Sequence, residues 1–427
     1  MNPATCFHPA SILEVFRSIP PVTGYRIALS GGADSVALLV AMAELRPALR
    51  RPVRAVHVHH GLQNEADAWA DFCKRLCEQH DIALDILDIS VVRQQRESLE
   101  AAARRLRYNA IAKRLESGEA LVTAHHLDDQ AETLLLHLIK GAGTDGLAAM
   151  PRLREFSSGF LLRPLLAFRR QALVDFLLAR EVPWIEDPSN SDIRFDRNYL
   201  RKIILPQIEA RWPAASRSIA RSANLQGMQR QLNDDLARID LQQCYEVVSG
   251  ALVVPDLLRL STPRRQLLLR FWLRSHAPVI HLSLDQLTRL DQLIQQSGKQ
   301  GKCLFQVGDY ALRQFRERLY KLPLASEAQI DPISWKLDGV LQIPALNLYL
   351  EPSQILRLLS WLTAADALLV RPRQGGETLI LPGRGHRSLK RMMQEWGIPA
   401  WQRWRIPLLW HDDRVVCVPG YWVAASP

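Results

Sequence analysis

Over the first 150 residues, short apolar runs alternate with longer stretches of helical period. Tyr25 to Leu29 is the first run, and it stops at Ser30-Gly31-Gly32. From Asp34 the pattern turns helical, with Val36, Leu39, Val40 and Ala43 on one side. A β-branched run from Val53 ends at Gly61, and a helical stretch follows through Trp69, Phe72 and Leu76. Residues 82–89 read as a third strand and 98–115 as a long helix of good helix formers. Ala120 to Thr123 is a fourth strand, after which 128–141 returns to helical period and ends at Gly141. Strands alternating with helices predict a parallel sheet covered on both faces, and such sheets bind ligands beyond the carboxyl ends of their strands.

Beyond residue 150 the pattern changes. Residues 160–215 read as a helical appendage of the same unit, and 216–320 as mostly helical with a strand pair near 303–315. A Pro- and Ala-rich passage near 322–335 reads as a linker, and short strands around 341–350 and 366–373 lead into a compact mixed domain. The expected division is 1–215, a catalytic domain; 216–320, a mostly helical domain; and 340–427, a small basic domain. The fold class is α/β, with a helical middle domain and a small mixed α/β carboxyl-terminal domain.

A chain of 427 residues, 48% hydrophobic, is too long for one ordinary core and apolar enough to fold throughout. Its formal charge of +10 favours a polyanionic partner, because clustered Lys and Arg gain by neutralising phosphates. Six scattered cysteines fit a reducing compartment, and Cys73 and Cys77, one helical turn apart, lack the second pair that a metal site needs. No secretory core heads the chain and no run of 18 apolar residues occurs, so a cytoplasmic protein without a membrane partner is expected.

The segment IALSGGADS sets a hydroxyl, two glycines and an Asp-Ser pair between a buried strand and a helix. Backbone N–H groups there can point at an anion, glycine permits close approach, and the helix start adds a favourable field. No Lys follows the second glycine, so it is not a Walker loop, and GxGxxG is absent. Taken alone, the segment is equally well read as a plain Gly-rich turn.

TAHHLDDQAET begins where the fourth strand ends. In a helix starting near Asp128, Asp129 and Glu132 project to one side while Leu134, Leu135 and Leu138 face the core. Carboxylates and imidazoles together suit a cationic amine and the removal of its proton. A zinc site built from His125, His126, Asp128 and Asp129 and a solvated acidic helix start are the other two readings. On the long helix, Arg104 and Arg107 lie one turn apart, placed either to clamp phosphates or simply at the surface.

The loop IALSGGADSVALL resembles the signature of the PP-loop pyrophosphatase superfamily, with its adenine-nucleotide alpha hydrolase-like fold. That superfamily cleaves ATP to AMP and pyrophosphate through an adenylated substrate. The resemblance implies that Ser30, Gly31, Gly32, Ala33, Asp34 and Ser35 cradle pyrophosphate, with Mg2+ held mainly through the phosphates of ATP. SGGADS, VHVHHGLQ at 56–63, EAAARRLRY at 100–108, the block 124–147, RPLL at 163–166, WIEDPSNSDIRFDRNYLR at 184–201 and the block beginning RPRQGGE together resemble the tRNA(Ile)-lysidine synthase family. The likeness runs in order along essentially the whole chain. It implies an ATP-dependent ligase that adenylates cytidine 34 of a CAU anticodon in a minor tRNA(Ile) and lets the ε-amino group of L-lysine displace AMP. Codon reading then changes from AUG to AUA. The resemblance gives catalytic roles to Asp34, Asp129, Glu132, Arg104 and Arg197, with Arg104 also touching phosphate, and implies no resident metal cage and no obligate protein partner.

Basic residues cluster where an RNA would need them. Residues 194–230 carry eight Arg or Lys against two acids, and the carboxyl-terminal block adds Arg371, Arg373, Arg384, Arg387, Lys390 and Arg391. Trp396, Trp401 and Trp404 lie among them, as base-stacking rings or as core residues. No scattered cysteine suits thiolation, which disfavours sulfur-installing relatives. Another PP-loop enzyme that modifies tRNA or forms amides is the rival reading, and a non-catalytic RNA-binding protein would need neither SGGADS nor HHLDDQAET.

Overall fold

Of the four β-forming segments in the first 125 residues, Tyr25–Ala28, Val53–His59 and Ala120–Val122 are mainly buried and so need cover above and below. Ala83–Asp88 is half-buried to exposed and lies at the edge of the sheet. The computed structural model describes residues 6–59, 61, 65–89, 99–247, 249–276, 279–296, 303–324, 331–343, 348–363, 366–381 and 385–425. Contacts divide the chain into two compact units, Met1–Leu232 and Asn233–Pro427. The division falls inside the helix Ala215–Cys244.

In the first unit the strands are β1 (Tyr25–Ala28), β2 (Val53–His59), β3 (Ala83–Asp88), β4 (Ala120–Val122), β5 (Leu153–Phe156) and β6 (Gly159–Leu162). Their order is β3-β2-β1-β4-β6-β5, parallel throughout except for the antiparallel edge strand β5. Helices α1 (Leu13–Arg17), α2 (Ala33–Leu49), α3 (Ala66–Gln79), α4 (Leu99–Arg114) and α5 (Leu127–Ile139) join and cover the strands. β1 lies between β2 and β4, so the chain winds away from it in both directions and opens a crevice at the carboxyl ends. The main core packs α2 against the sheet through Val36, Leu39 and Val40. A smaller cluster around Val56, Ile111 and Leu121 covers the other face.

The β5–β6 hairpin departs from the helical reading of residues from 160 onward. Its strands have four residues each, too short for their apolar run to be told from a helical segment by period. Gly159 belongs there because a Cβ would sit 2.0 Å from the Glu119 carbonyl oxygen. In α5, Leu134 is buried as expected, but Leu138 is 54% exposed and does not face the core.

The second unit holds the helices Val254–Arg259, Thr262–Ser275 and Leu284–Gln296, with a core around Leu268, Trp272 and Leu290. The expected strand pair forms as Cys303–Val307 against Tyr310–Phe315, within an antiparallel sheet of five strands. Of the passage read as a linker, Arg318–Pro323 and Ile333–Trp335 are strands, and 325–330 lie outside the described residues. The last part is a second five-stranded antiparallel sheet with the helix Leu389–Glu395 and cores of its own. Among the described residues no helix is long and apolar enough to cross a membrane.

Candidate active site

β1 delivers Ser30 to the sheet edge, and α2 begins at once with Gly32 as its N-cap. No side chain caps this 17-residue helix, so first-turn N–H groups stay open to an anion at the positive end of its dipole. The loop is fixed from within. Ser35 Oγ donates to the Gly32 carbonyl at 2.9 Å, accepts from Ser30 N at 3.2 Å and lies 3.1 Å from Ser30 Oγ. Gly31 has φ +86°, and its carbonyl accepts from Ile185 N at 2.9 Å. A Cβ on Gly31 would come within 2.6 Å of Ile185 Cδ1, so the segment WIEDPSN closes over the loop and requires glycine beneath it.

In front of the loop lies a cavity of about 380 Å³ at the carboxyl ends of β1, β2 and β4. Ser30, Gly32, Asp34 and Ser35 line one side, and Arg104, Arg107 and Tyr108 of α4 line another. His125 and Asp129 complete the wall from β4 and α5. Gly31 and Ala33 do not reach it; the Ala33 side chain is buried in the core, which leaves its backbone N–H as its contribution. The Arg104 guanidinium lies 5.2 Å from the centre of the Tyr108 ring and has no carboxylate partner among the described residues. Glu100 of the same motif and His60 of VHVHHG have side chains outside the described set.

Asp129 and Glu132 are three residues apart on α5, but only Asp129 reaches the cavity. Glu132 is fully buried behind it. Arg197 Nε donates to Glu132 Oε2 at 2.7 Å, and its Nη2 donates to Asp129 Oδ1 at 3.1 Å. Arg201 Nε donates to Glu132 Oε1 at 2.6 Å, while its Nη2 reaches Glu132 Oε2 at 3.0 Å and Asp129 Oδ1 at 3.1 Å. The other Asp129 oxygen accepts from His126 N at 3.0 Å and completes a capping box in which Asp129 N donates to His126 Nδ1 at 3.3 Å. Burial alone would raise the Asp129 pKa, but His126 and Arg197 outweigh it and hold the carboxyl well below the usual range.

Arg201 had no role in the sequence reading, although its spacing from Arg197 puts both on one helical face. A π-helical turn at Leu200–Ile204 begins between them, a rare element that often marks functional sites. Arg169 Nε pairs with Asp128 at 2.8 Å. With Asp128 so engaged and His126 spent on the helix cap, the four potential zinc ligands do not converge. Among the described residues no group of three or more His, Cys, Asp or Glu side chains is arranged to hold a metal ion.

Magnesium sets a different test, because it needs only one or two protein carboxylates beside phosphates and water. Asp34 Oδ1 is buried at the loop without a hydrogen-bond partner, and the nearest cation, Arg170 Nε, is 3.5 Å away. One orphaned hard oxygen next to an anion cradle fits a phosphate-borne ion.

In the second unit Arg387, Lys390 and Arg391 are exposed, whereas Arg373 pairs with Glu377 at 3.2 Å and Arg371 lies over Trp410 at 4.0 Å. Arg384 lies outside the described residues. Trp401 packs edge-on against Phe315 and Tyr320, and Trp396 stacks on Tyr421, both as packing residues.

A family model described as the PP-loop domain matches residues 10–208. Models described as the TilS substrate binding domain and the TilS substrate C-terminal domain match 252–320 and 368–427. The tRNA(Ile)-lysidine synthase of Methylococcus capsulatus is 38% identical over 425 residues, 97% of this chain and 95% of that protein. The enzyme of the same name from Alkalilimnicola ehrlichii is 38% identical over 423 residues, 98% of this chain and 94% of its own. That of Xanthomonas axonopodis pv. citri is 41% identical, covering 91% and 88%. Matched from the anion loop to the last strands, the chain belongs to the tRNA(Ile)-lysidine synthase family.

Proposed function

We propose that this chain joins L-lysine, through its ε-amino group, to C2 of cytidine 34 in the CAU anticodon of a minor tRNA(Ile), cleaving ATP to AMP and diphosphate. The observation that carries this reading is the uncapped start of α2 facing a cavity whose far wall bears the unpaired Arg104. That arrangement suits a triphosphate held by its outer phosphates. A cytosine carbonyl oxygen is a poor leaving group, whereas AMP departs readily once its charge is met by fixed dipoles and cations. Adenylation therefore comes first and amine attack second.

Ser30, Gly31, Gly32, Ala33, Asp34 and Ser35 hold the outer phosphates, chiefly through backbone N–H groups, and Arg104 meets them from α4. Asp34 would hold Mg2+ through its orphaned Oδ1, and the ion would supply neutralisation of phosphate charge. Asp129, ionised and at the cavity wall, supplies the negative field that draws in the ε-ammonium. Glu132 and Arg197 keep Asp129 in place. The separate cores of 244–319 and 335–423 support a three-part organisation, with the carboxyl-terminal part gripping RNA through exposed Arg387, Lys390 and Arg391. The working compartment is the cytoplasm, and no protein partner is required.

Incubation with ATP, Mg2+, labelled lysine and an unmodified CAU-anticodon tRNA tests the reading. Label should enter the RNA with one AMP released per lysine, and Asp34→Ala should abolish both while tRNA still binds. An RNA that stays unlabelled under saturating substrates sinks it.

A further inference from the structure

The lysine ε-ammonium is protonated near neutral pH and must lose a proton before its nitrogen can attack. Neither carboxylate at the site is placed to take it. A carboxylate has about four acceptor positions. Asp129 has three of its own taken by Arg197, Arg201 and the His126 backbone, and its depressed pKa makes it a weak base. Glu132 is fully buried, does not line the cavity, and has both oxygens occupied by guanidinium groups. His126 is fully buried and spends its Nδ1 lone pair on the helix cap.

His125 is built differently. It lines the cavity beside Asp129, and its Nδ1 lies 2.9 Å from Thr123 Oγ1. Thr123 is buried at the end of β4, and its own N–H donates to the Leu162 carbonyl at 2.9 Å, so the hydroxyl is a fixed anchor. In the tautomer that donates Nδ1–H to that hydroxyl, the Nε2 lone pair of this cavity-lining ring is free to accept a proton. Resting on the ligase reading above, we infer that His125 Nε2 accepts the proton released by the lysine ε-ammonium.

Burial and the charges around the ring set how readily it takes that proton. Burial pushes the His125 pKa down to about 3; Asp129 opposes that, and Arg163, Arg104 and Arg197 add to it. Phosphates engaged by Arg104 offset that cation and raise the affinity of the imidazole for a proton, while the larger effect of burial remains. The step balances as follows. The first proton passes from nitrogen to Nε2, the freed lone pair forms the N–C2 bond, and the C2–O bond breaks with its electron pair leaving on AMP. The second proton leaves for water as that bond breaks.

The test compares wild type, His125→Asn and Thr123→Val for lysidine formation from pH 6.5 to 9, at saturating ATP and tRNA, with thermal melting as a check of folding. His125→Asn should lose about 10²- to 10⁴-fold at pH 7. Its rate should then climb about tenfold per pH unit, because the neutral fraction of an amine with pKa near 10.4 grows that fast. Thr123→Val should show a smaller loss with the same steepening, and it decides the matter if His125→Asn does not melt cooperatively. A wild-type rate, or a loss with a pH profile parallel to wild type, overturns the assignment. A wild-type protein that makes no lysidine overturns the ligase reading itself, which is a separate outcome.

Discussion

At the start of α2 first-turn N–H groups and one Asp34 oxygen are left without partners, whereas each carboxylate at the cavity end of α5 is held by several donors. The loop keeps first-turn N–H groups uncapped, one Asp34 oxygen orphaned and Arg104 without a carboxylate. Around Asp129 and Glu132, by contrast, two arginines and a capping box engage both oxygens of each carboxylate, with His126 Nε2 left as an exception. A folded chain leaves buried polar groups open only at a cost, so openness marks where a ligand completes the structure. Saturation marks the opposite: groups that hold geometry and act through a neighbour. On the proposed reading Glu132, Arg197 and Arg201 are thus positioning residues, and Asp34, Arg104 and His125 are the ones that meet substrate.

The largest expected effect breaks the saturated side. Glu132→Ala removes the shared partner of two guanidinium groups, and leaving buried charges uncompensated costs about 3 kcal/mol. Urea unfolding should show that loss. On the open side, Arg104→Gln should leave unfolding within about 0.5 kcal/mol of wild type, because no carboxylate among the described residues pairs with it. Its cost should appear as a weaker grip on ATP, about 10- to 100-fold in KM, as expected for a charged hydrogen bond worth about 1.5–3 kcal/mol. Equal stability losses in the two variants would erase the distinction.

A smaller effect sharpens it further. Gly31→Ala places a side chain at φ +86° and against Ile185 Cδ1. The left-handed backbone alone costs about 1–2 kcal/mol. About tenfold weaker ATP binding should follow, and Ile185→Ala should restore part of it by removing the contact. Failure of that rescue would show that backbone strain, not closure by the 185–190 segment, governs the loop.

The open side was readable in the sequence and the saturated side only in part, for a physical reason. Ser30 to Ser35 are consecutive, and the strand-turn-helix pattern that leaves first-turn N–H groups uncapped is local. The parallel pairing of β1 to β4, though not their order, followed from the same local alternation. Asp129 and Glu132 were visible as a pair on one helical face, but their neutralisation comes from residues about 70 positions away. No period carries that information. Ile185 reads as an ordinary apolar residue until its contact with Gly31 is seen, and the π-helical turn at Leu200–Ile204 has no pattern distinct from an α-helix. The β5–β6 hairpin was lost because four-residue strands fall below the length at which period separates strand from helix.

The smallest expected effect concerns protons on both sides at once. The Asp129 pKa is depressed by its partners, so its contribution to stability is present above the unfolded value, about pH 3.9, and fades as pH falls below it. His125 titrates in another window. Its folded pKa of about 3 lies below the unfolded value of about 6.5, so the unfolded chain binds the extra proton between them. Stability should therefore be complete above about pH 6.5 and decline toward pH 3, by at most about 1.4 kcal/mol per pH unit for one group. Urea unfolding at pH 7, 6 and 5 covers this window with Asp129 ionised throughout. His126, for which the effect of burial is outweighed by Asp129, Asp34 and Asp128 so that its pKa is raised, works in the opposite sense. His125 is therefore read from the change of slope between wild type and His125→Asn. His125→Asn should flatten the slope over that range, whereas Asp129→Asn should destabilise the protein by a nearly constant amount. If both variants keep the wild-type slope, the acid sensitivity arises elsewhere and His125 is no more burdened by its surroundings than a surface histidine.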